Sequence, residues 1–116
     1  NTSEMGKVIR EFADTIGSPE TAWVVGFPYW VDTRLVGINA GYPTRDTVIY
    51  IERFPETVSD PRAKLFLIKP EDQAAIDALR QLYPEGALKE YISRVETKNF
   101  YMFFVPPQDQ EFGTGE

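Results

Sequence analysis

Residues 64–86, Lys-Leu-Phe-Leu-Ile-Lys-Pro-Glu-Asp-Gln-Ala-Ala-Ile-Asp-Ala-Leu-Arg-Gln-Leu-Tyr-Pro-Glu-Gly, constrain the fold more than any other stretch of this chain. Leu65–Ile68 is an unbroken apolar run of strand length, the pattern of a strand covered on both faces. Pro70 suits an early helix position, where its missing amide would be unpaired anyway. Glu71 and Asp72 place negative charge at the positive end of the helix dipole. Ile76, Leu79, Leu82 and Tyr83 recur at helical spacing and form one apolar stripe, and Pro84 with Gly86 ends it. A buried strand leading through a tight turn into an amphipathic helix is the building unit of an α/β fold.

The rest of the chain repeats that alternation. Met5, Val8, Ile9, Phe12 and Ile16 predict a helix over about residues 3–16, with Thr2 or Ser3 as its cap and Gly17 as its stop. Ala22–Gly26 reads as another buried strand, the first in chain order. Phe27-Pro28-Tyr29-Trp30 is a loop, because Pro28 cannot donate to a ladder. A short helix follows from Asp32 to about Ala40, with Leu35, Val36 and Ile38 as its apolar contacts and Gly41 as its end. Thr47–Ile51 is a strand, and residues 52–63, rich in Pro, Glu and Asp, read as a surface connection with room for one helical turn. Leu88–Glu96 and Phe100–Val105 are strands joined at Thr97-Lys98-Asn99. The first has one wet face and the second lies inside the sheet.

This order predicts a three-layer Rossmann-like sandwich: a mostly parallel five-stranded sheet, with the first strand between the second and third, closed by a C-terminal antiparallel hairpin. Residues 1–107 form the single domain, and 108–116 are a disordered polar tail.

With 116 residues, the chain is long enough for one core, and its hydrophobic content of 42% is that of a globular domain. No apolar run approaches the roughly 20 residues needed to cross a bilayer. The chain opens with Asn1, which we read as an excised domain or a processed product. A net charge of −6, with no local basic patch, disfavours nucleic acid and anionic lipid. The absence of Cys and His removes disulfides, thiolate or imidazole zinc sites, cysteine nucleophiles and histidine-based triads. Carboxylates, Lys, Tyr, Ser and Thr remain for proton transfer. No Asp-x-Asp stands at a strand end to hold a divalent ion with a nucleotide sugar, and no glycine-rich phosphate loop is present. No catalytic residue, metal or cofactor is assigned.

Open α/β sheets bind ligands beyond the carboxyl ends of their strands. For the first strand that edge is Phe27-Pro28-Tyr29-Trp30-Val31-Asp32-Thr33-Arg34. Tyr29, Trp30, Asp32 and Arg34 together offer aromatic faces, a carboxylate and a guanidinium, a set suited to a sugar or a headgroup phosphate. Asn39, with Arg45 and Asp46, lies near the same edge. Each has a plainer reading: Asp32 as a helix cap, Trp30 as packing on that helix, Arg34 as a solvated side chain, Asn39 as a helix-end marker and Arg45-Asp46 as a turn pair. Lys69-Pro70 after an apolar strand resembles the Lys-Pro of response-regulator receiver domains. The acidic pair and phosphoacceptor aspartate that such domains need are missing here, so Lys69 reads as a solvated turn residue.

Three stretches carry a family resemblance: Ala22–Arg34 (Ala-Trp-Val-Val-Gly-Phe-Pro-Tyr-Trp-Val-Asp-Thr-Arg), Lys64–Gly86 with its Leu-Tyr-Pro-x-Gly helix end, and Glu96–Pro106 with its aromatic closing strand. Together they resemble the C-terminal extracytoplasmic domain of bacterial membrane glycosyltransferases of family 39, which are similar to dolichyl-phosphate-mannose protein mannosyltransferases. The resemblance implies a polyprenyl-phosphate sugar donor and catalysis by acidic residues in a membrane portion that this sequence does not include. It implies a non-catalytic domain on the extracytoplasmic face of the bacterial cell membrane, partnered by the membrane-embedded portion of its parent chain and assisting acceptor binding. A stand-alone carbohydrate or small-ligand binding module is the alternative.

Overall fold

The computed structural model describes residues 2–28, 30–42, 44, 46–94 and 99–108. The elements are α1 (Thr2–Thr15), β1 (Ala22–Val25), α2 (Thr33–Asn39), β2 (Val48–Ile49), β3 (Lys64–Ile68), α3 (Gln73–Leu82), β4 (Ala87–Tyr91) and β5 (Phe100–Val105), with a 3-10 turn over Pro19–Thr21 and a 3-10 helix over Ile51–Ser59. The strands form one open five-stranded sheet in the order β2-β1-β3-β5-β4. β1 pairs parallel with β2 and β3, so it stands between them as expected. β5 pairs antiparallel with both β3 and β4.

Alternation along the strands sorts their side chains onto two faces. Val24, Leu65, Leu67 and Phe100 pack with Met5, Ile9 and Phe12 of α1 and Val36 of α2. Val25, Phe66, Ile68, Phe103 and Val105 pack with Phe54 of the 3-10 helix, with Ile76 and Leu79 of α3 and with Tyr83 at its C-terminal cap. β3 is buried at every position because both its edges and both its faces are covered, the condition under which a continuous apolar run is stable as a strand. β4 is an outer strand, and its mixed composition matches its mostly exposed pattern.

Several boundaries differ from the expectation, each for a local reason. Thr2 and Ser3 lie inside α1 rather than ahead of it. α1 stops at Thr15, and Ile16 turns out to 53% exposure instead of joining the stripe. Leu35 and Ile38 are also exposed, and Val36 with Ala40 carries the buried side of α2. β2 is only two residues long. The chain leaves the sheet edge at Tyr50, whose carbonyl accepts from Arg53 N at 2.8 Å and opens the 3-10 helix that carries it across to β3. Residues 52–63 are therefore more than a surface connection, since Phe54 and Thr57 are buried. α3 begins at Gln73, not Pro70: the Asp72 carboxylate accepts from Ala75 N at 3.2 Å as its cap, and Pro70 with Glu71 forms the turn before it.

β4 ends at Tyr91, before the expected Glu96, and the predicted turn residues Thr97 and Lys98 lie outside the described residues. So does most of the predicted tail. Its first residue, Gln108, donates its amide to Pro61 O at 2.8 Å.

Candidate ligand-binding site

The carboxyl end of β1 is built around a close approach. Gly26 N donates to Ile49 O at 2.9 Å, continuing the β1–β2 ladder by one rung. A Cβ on Gly26 would fall 2.4 Å from Tyr50 Cε1, so only glycine lets the Tyr50 ring lie against the strand end. The chain then turns through Phe27 and Pro28, with Trp30 N donating to Phe27 O at 3.3 Å. Asp32 Oδ1 accepts from the amides of Arg34 at 3.0 Å and Leu35 at 3.2 Å and starts α2.

The first turn of α2 is stitched to β2. Thr33 Oγ1 donates to Asp46 Oδ1 at 2.7 Å, Val48 N donates to the same oxygen at 3.1 Å, and Thr47 Oγ1 donates to Thr33 O at 2.9 Å. These bonds hold open a cavity of about 410 Å³ lined by Val25, Gly26, Phe27, Pro28, Trp30, Val31, Thr33, Val48 and Tyr50. That volume is in the range of small-molecule sites. A second cavity, also of about 410 Å³, shares Val48 and Tyr50 with the first and adds Trp23, Ile49, Arg53, Glu56, Thr57 and Asp60.

Of the five residues singled out from sequence, Trp30 lines the first cavity. Asp32 flanks it as the α2 cap, the plainer of its two readings. Arg34 is an exposed residue of α2. Asn39 sits at the far end of that helix, where its Nδ2 donates to Thr2 Oγ1 at 3.2 Å and joins α2 to α1, away from the cavity lining. Tyr29 lies outside the described residues, as does Arg45. Asp46 is present at the site through its hydrogen bonds to Thr33 and Val48.

Five further residues stand around these cavities. Tyr50, expected inside a strand, lines both of them. Trp23, expected in a buried strand, and Arg53 and Glu56, expected in a surface connection, line the second. Lys69 is not a freely solvated turn residue: it is half-buried, and its Nζ lies 4.8 Å from the centre of the Phe27 ring, joining the carboxyl ends of β1 and β3. An aromatic residue just past an apolar run, at the point where the chain leaves the sheet, is the one signal that could have marked Tyr50.

The shifted ionisations are concentrated around the segment before β3. The Arg62 guanidinium forks the Asp60 carboxylate, with Nε to Oδ1 at 3.0 Å and Nη2 to Oδ2 at 2.7 Å, and pulls its pKa down to about 2. Arg62 also reaches Glu20 Oε1 at 2.8 Å. Lys64 is buried, and desolvation pushes its pKa below the ordinary lysine value. Its Nζ donates to Asp60 O and to Arg62 O, and lies 5.6 Å from the Tyr83 ring centre. Burial raises Tyr83. Thr57 Oγ1 donates to Phe54 O at 2.7 Å, so the 2.5 Å bond between the Thr57 and Tyr83 hydroxyls takes its proton from Tyr83. At the other end of the molecule, the hydroxyl of Ser93 donates to Glu4 Oε1 at 2.5 Å and lowers that carboxyl.

Among the described residues, no three His, Cys, Asp or Glu side chains converge to hold a metal ion. No helix among them is long and apolar enough to cross a membrane. No protein-family model matches the sequence, and no curated protein or solved structure matches it significantly.

Proposed function

We propose that this chain is a non-catalytic extracytoplasmic domain of a polytopic membrane glycosyltransferase that uses a polyprenyl-phosphate sugar donor, and that the cavity beside Trp30 assists acceptor binding. In this reading the two-faced packing is a Rossmann-like three-layer sandwich closed by a C-terminal hairpin. The partner is the membrane-embedded portion of the parent chain, at the outer face of a bacterial cell membrane.

The observation that carries the non-catalytic part is the employment of the acids around the cavity. The Asp32 carboxylate is engaged by two helix amides, and Asp46 by a hydroxyl and a strand amide. Both are committed to holding the loop in place, and the cavity surface is left to aromatic and aliphatic groups with Thr33. Such a surface suits holding the apolar face of a sugar ring rather than moving protons on it. The membrane part of the reading rests on the sequence resemblance. It is tested by the coding sequence ahead of Asn1, which is expected to encode several apolar segments of about 20 residues. A parent without them overturns this reading.

The cavity also favours a second reading, a stand-alone carbohydrate or small-ligand module. That module would give a thermal shift with a sugar or a polyprenyl-phosphate mimic. A flat response across a broad ligand panel would count against it.

A further inference from the structure

The connections after β1 and β3 leave the sheet on opposite faces, one into α2 and the other into α3. The carboxyl ends of these two neighbouring strands therefore enclose the crevice in which open α/β sheets hold ligands. Val24 pairs with Val48 on one side and with Leu67 on the other. Two residues on, the same register sets Gly26 between Tyr50 and Lys69. Neighbouring strands lie about 4.8 Å apart, so the Tyr50 and Lys69 backbones stand about 10 Å from each other with the glycine between them. Lys69 Nζ lies 4.8 Å from the centre of the Phe27 ring, and Phe27 lines the cavity beside Trp30.

Lys69 is half-buried, and among the described residues the Phe27 ring is the one partner of its ammonium. The acids that follow it are elsewhere engaged: Glu71 is exposed, and the Asp72 carboxylate accepts from Ala75 N at the start of α3. Asp32 and Asp46 stand at α2 and β2 and accept from groups there. The cavity is therefore polarised, with hydrogen-bonded acids toward β2 and an unpaired cation toward β3. A charge taken partly out of water is costly until a partner of opposite sign completes it, and the described chain supplies none. The surface beside that cation is aromatic and aliphatic, with Thr33. A ring carrying an anionic group meets both parts, the ring beside Trp30 and Tyr50 and the anion on Lys69. A bare anion would forgo the rings, and a neutral ring would leave Lys69 unpaired. We infer that Lys69 makes this cavity selective for an anionic sugar, its charge a phosphate or a carboxylate. The inference rests on the proposed sugar cavity beside Trp30 and assigns the chemistry of its ligand.

The test is a titration of the nitrogen-15-labelled chain, read at the Trp30 indole N–H, with two matched pairs of sugars. Methyl α-mannopyranoside is set against mannose 1-phosphate, and methyl β-glucopyranoside against methyl β-glucuronide. A Trp30→Phe variant assigns the signal. At least one charged sugar should bind about tenfold more tightly than its neutral match, equivalent to about 1.4 kcal/mol. Lys69→Met should abolish that advantage and leave the neutral glycosides as they were, whereas Lys69→Arg should keep it. In the native chain, raising the salt to about 0.5 M should shrink it. Charged and neutral sugars of equal affinity would overturn the assignment of Lys69 and leave the sugar cavity standing. So would an advantage that survives Lys69→Met or ignores salt, or inorganic phosphate that binds as tightly as mannose 1-phosphate. A Trp30 signal that no sugar moves would overturn the cavity itself, and the assignment with it.

Discussion

A methyl group placed on Gly6 would lie 2.6 Å from Asn39 Cβ and 2.7 Å from Asn39 C, so the α1–α2 contact depends on a missing side chain. Gly6→Ala in a free helix would gain up to about 1 kcal/mol of propensity. Here it should cost about 1–3 kcal/mol, because backbone must move to admit it; urea unfolding measures which term wins. Asn39 was a plausible ligand residue by type, and only its place against α1 shows that it braces two helices. Such a role rests on contacts between distant residues, which one-dimensional spacing does not encode. Asp32 was legible because an Asp directly before a helical pattern has a local job.

Lys64 makes a second residue-scale prediction. Its ammonium is buried, so the folded state releases that proton more readily than the unfolded chain does. Between the lowered folded pKa and the ordinary value of 10.5, the unfolded state binds more protons. Stability should therefore rise with pH through that window. Tyr83, raised by burial, works in the opposite direction above its ordinary value of 10.0. The contribution of Lys64 is isolated by comparison with Lys64→Met: the native chain should gain on the variant as pH rises. Parallel pH profiles would contradict this account of Lys64.

Among the elements, the 3-10 helix over Ile51–Ser59 was the hardest to read. Its Pro55 and five charged or hydroxyl residues look like loop, and Ile51, Phe54 and Thr57 recur at the three-residue spacing of a tighter helix than the usual one. Phe54 is buried and meets Phe66 edge-on, with centroids 5.6 Å apart. Phe54→Ala should cost about 3–5 kcal/mol, whereas a residue in a mere surface connection would cost almost nothing. The cap of α2 is the counterpart at a legible element. Asp32→Ala should lose about 1 kcal/mol through the two freed amides, read by urea unfolding. α2 also ends as its sequence indicates, at Gly41, whose φ of +93° few other residues tolerate. β1, β3, α3 and β5 were legible because each is decided by its own apolar pattern. β2 was legible as a strand within Thr47–Ile51, but its two-residue length was not, because that is set by where the chain must depart toward β3.

Over the whole molecule, two carboxylates join parts of the chain that are far apart in sequence. Glu4 on α1 holds Ser93 and the Arg94 amide at 3.3 Å, and Asp60, through Arg62, meets Glu20. Both carboxyls have lowered pKa values when folded, so they add stability that is complete above their ordinary values and lost as pH falls through the folded ones. Urea midpoints should therefore fall between about pH 4.5 and about 2, and Arg62→Ala should flatten that fall. The alternation of helix and strand made the mixed sheet and the central place of β1 readable. The brace between Glu4 and Ser93 was not, because it joins residues 89 positions apart.

The central claim, which rests on the proposed function, is that the cavity beside Trp30 holds a sugar ring without transforming it. Its most direct test is an amide-shift map of the chain in the presence of a short polyprenyl-phosphate sugar and a neutral acceptor glycoside, with both sugars followed in the same sample. The account predicts shifts confined to the lining of the cavity beside Trp30, and sugars unchanged at the end. A glycosidic bond made or broken by the chain alone, or a map centred elsewhere, would contradict it.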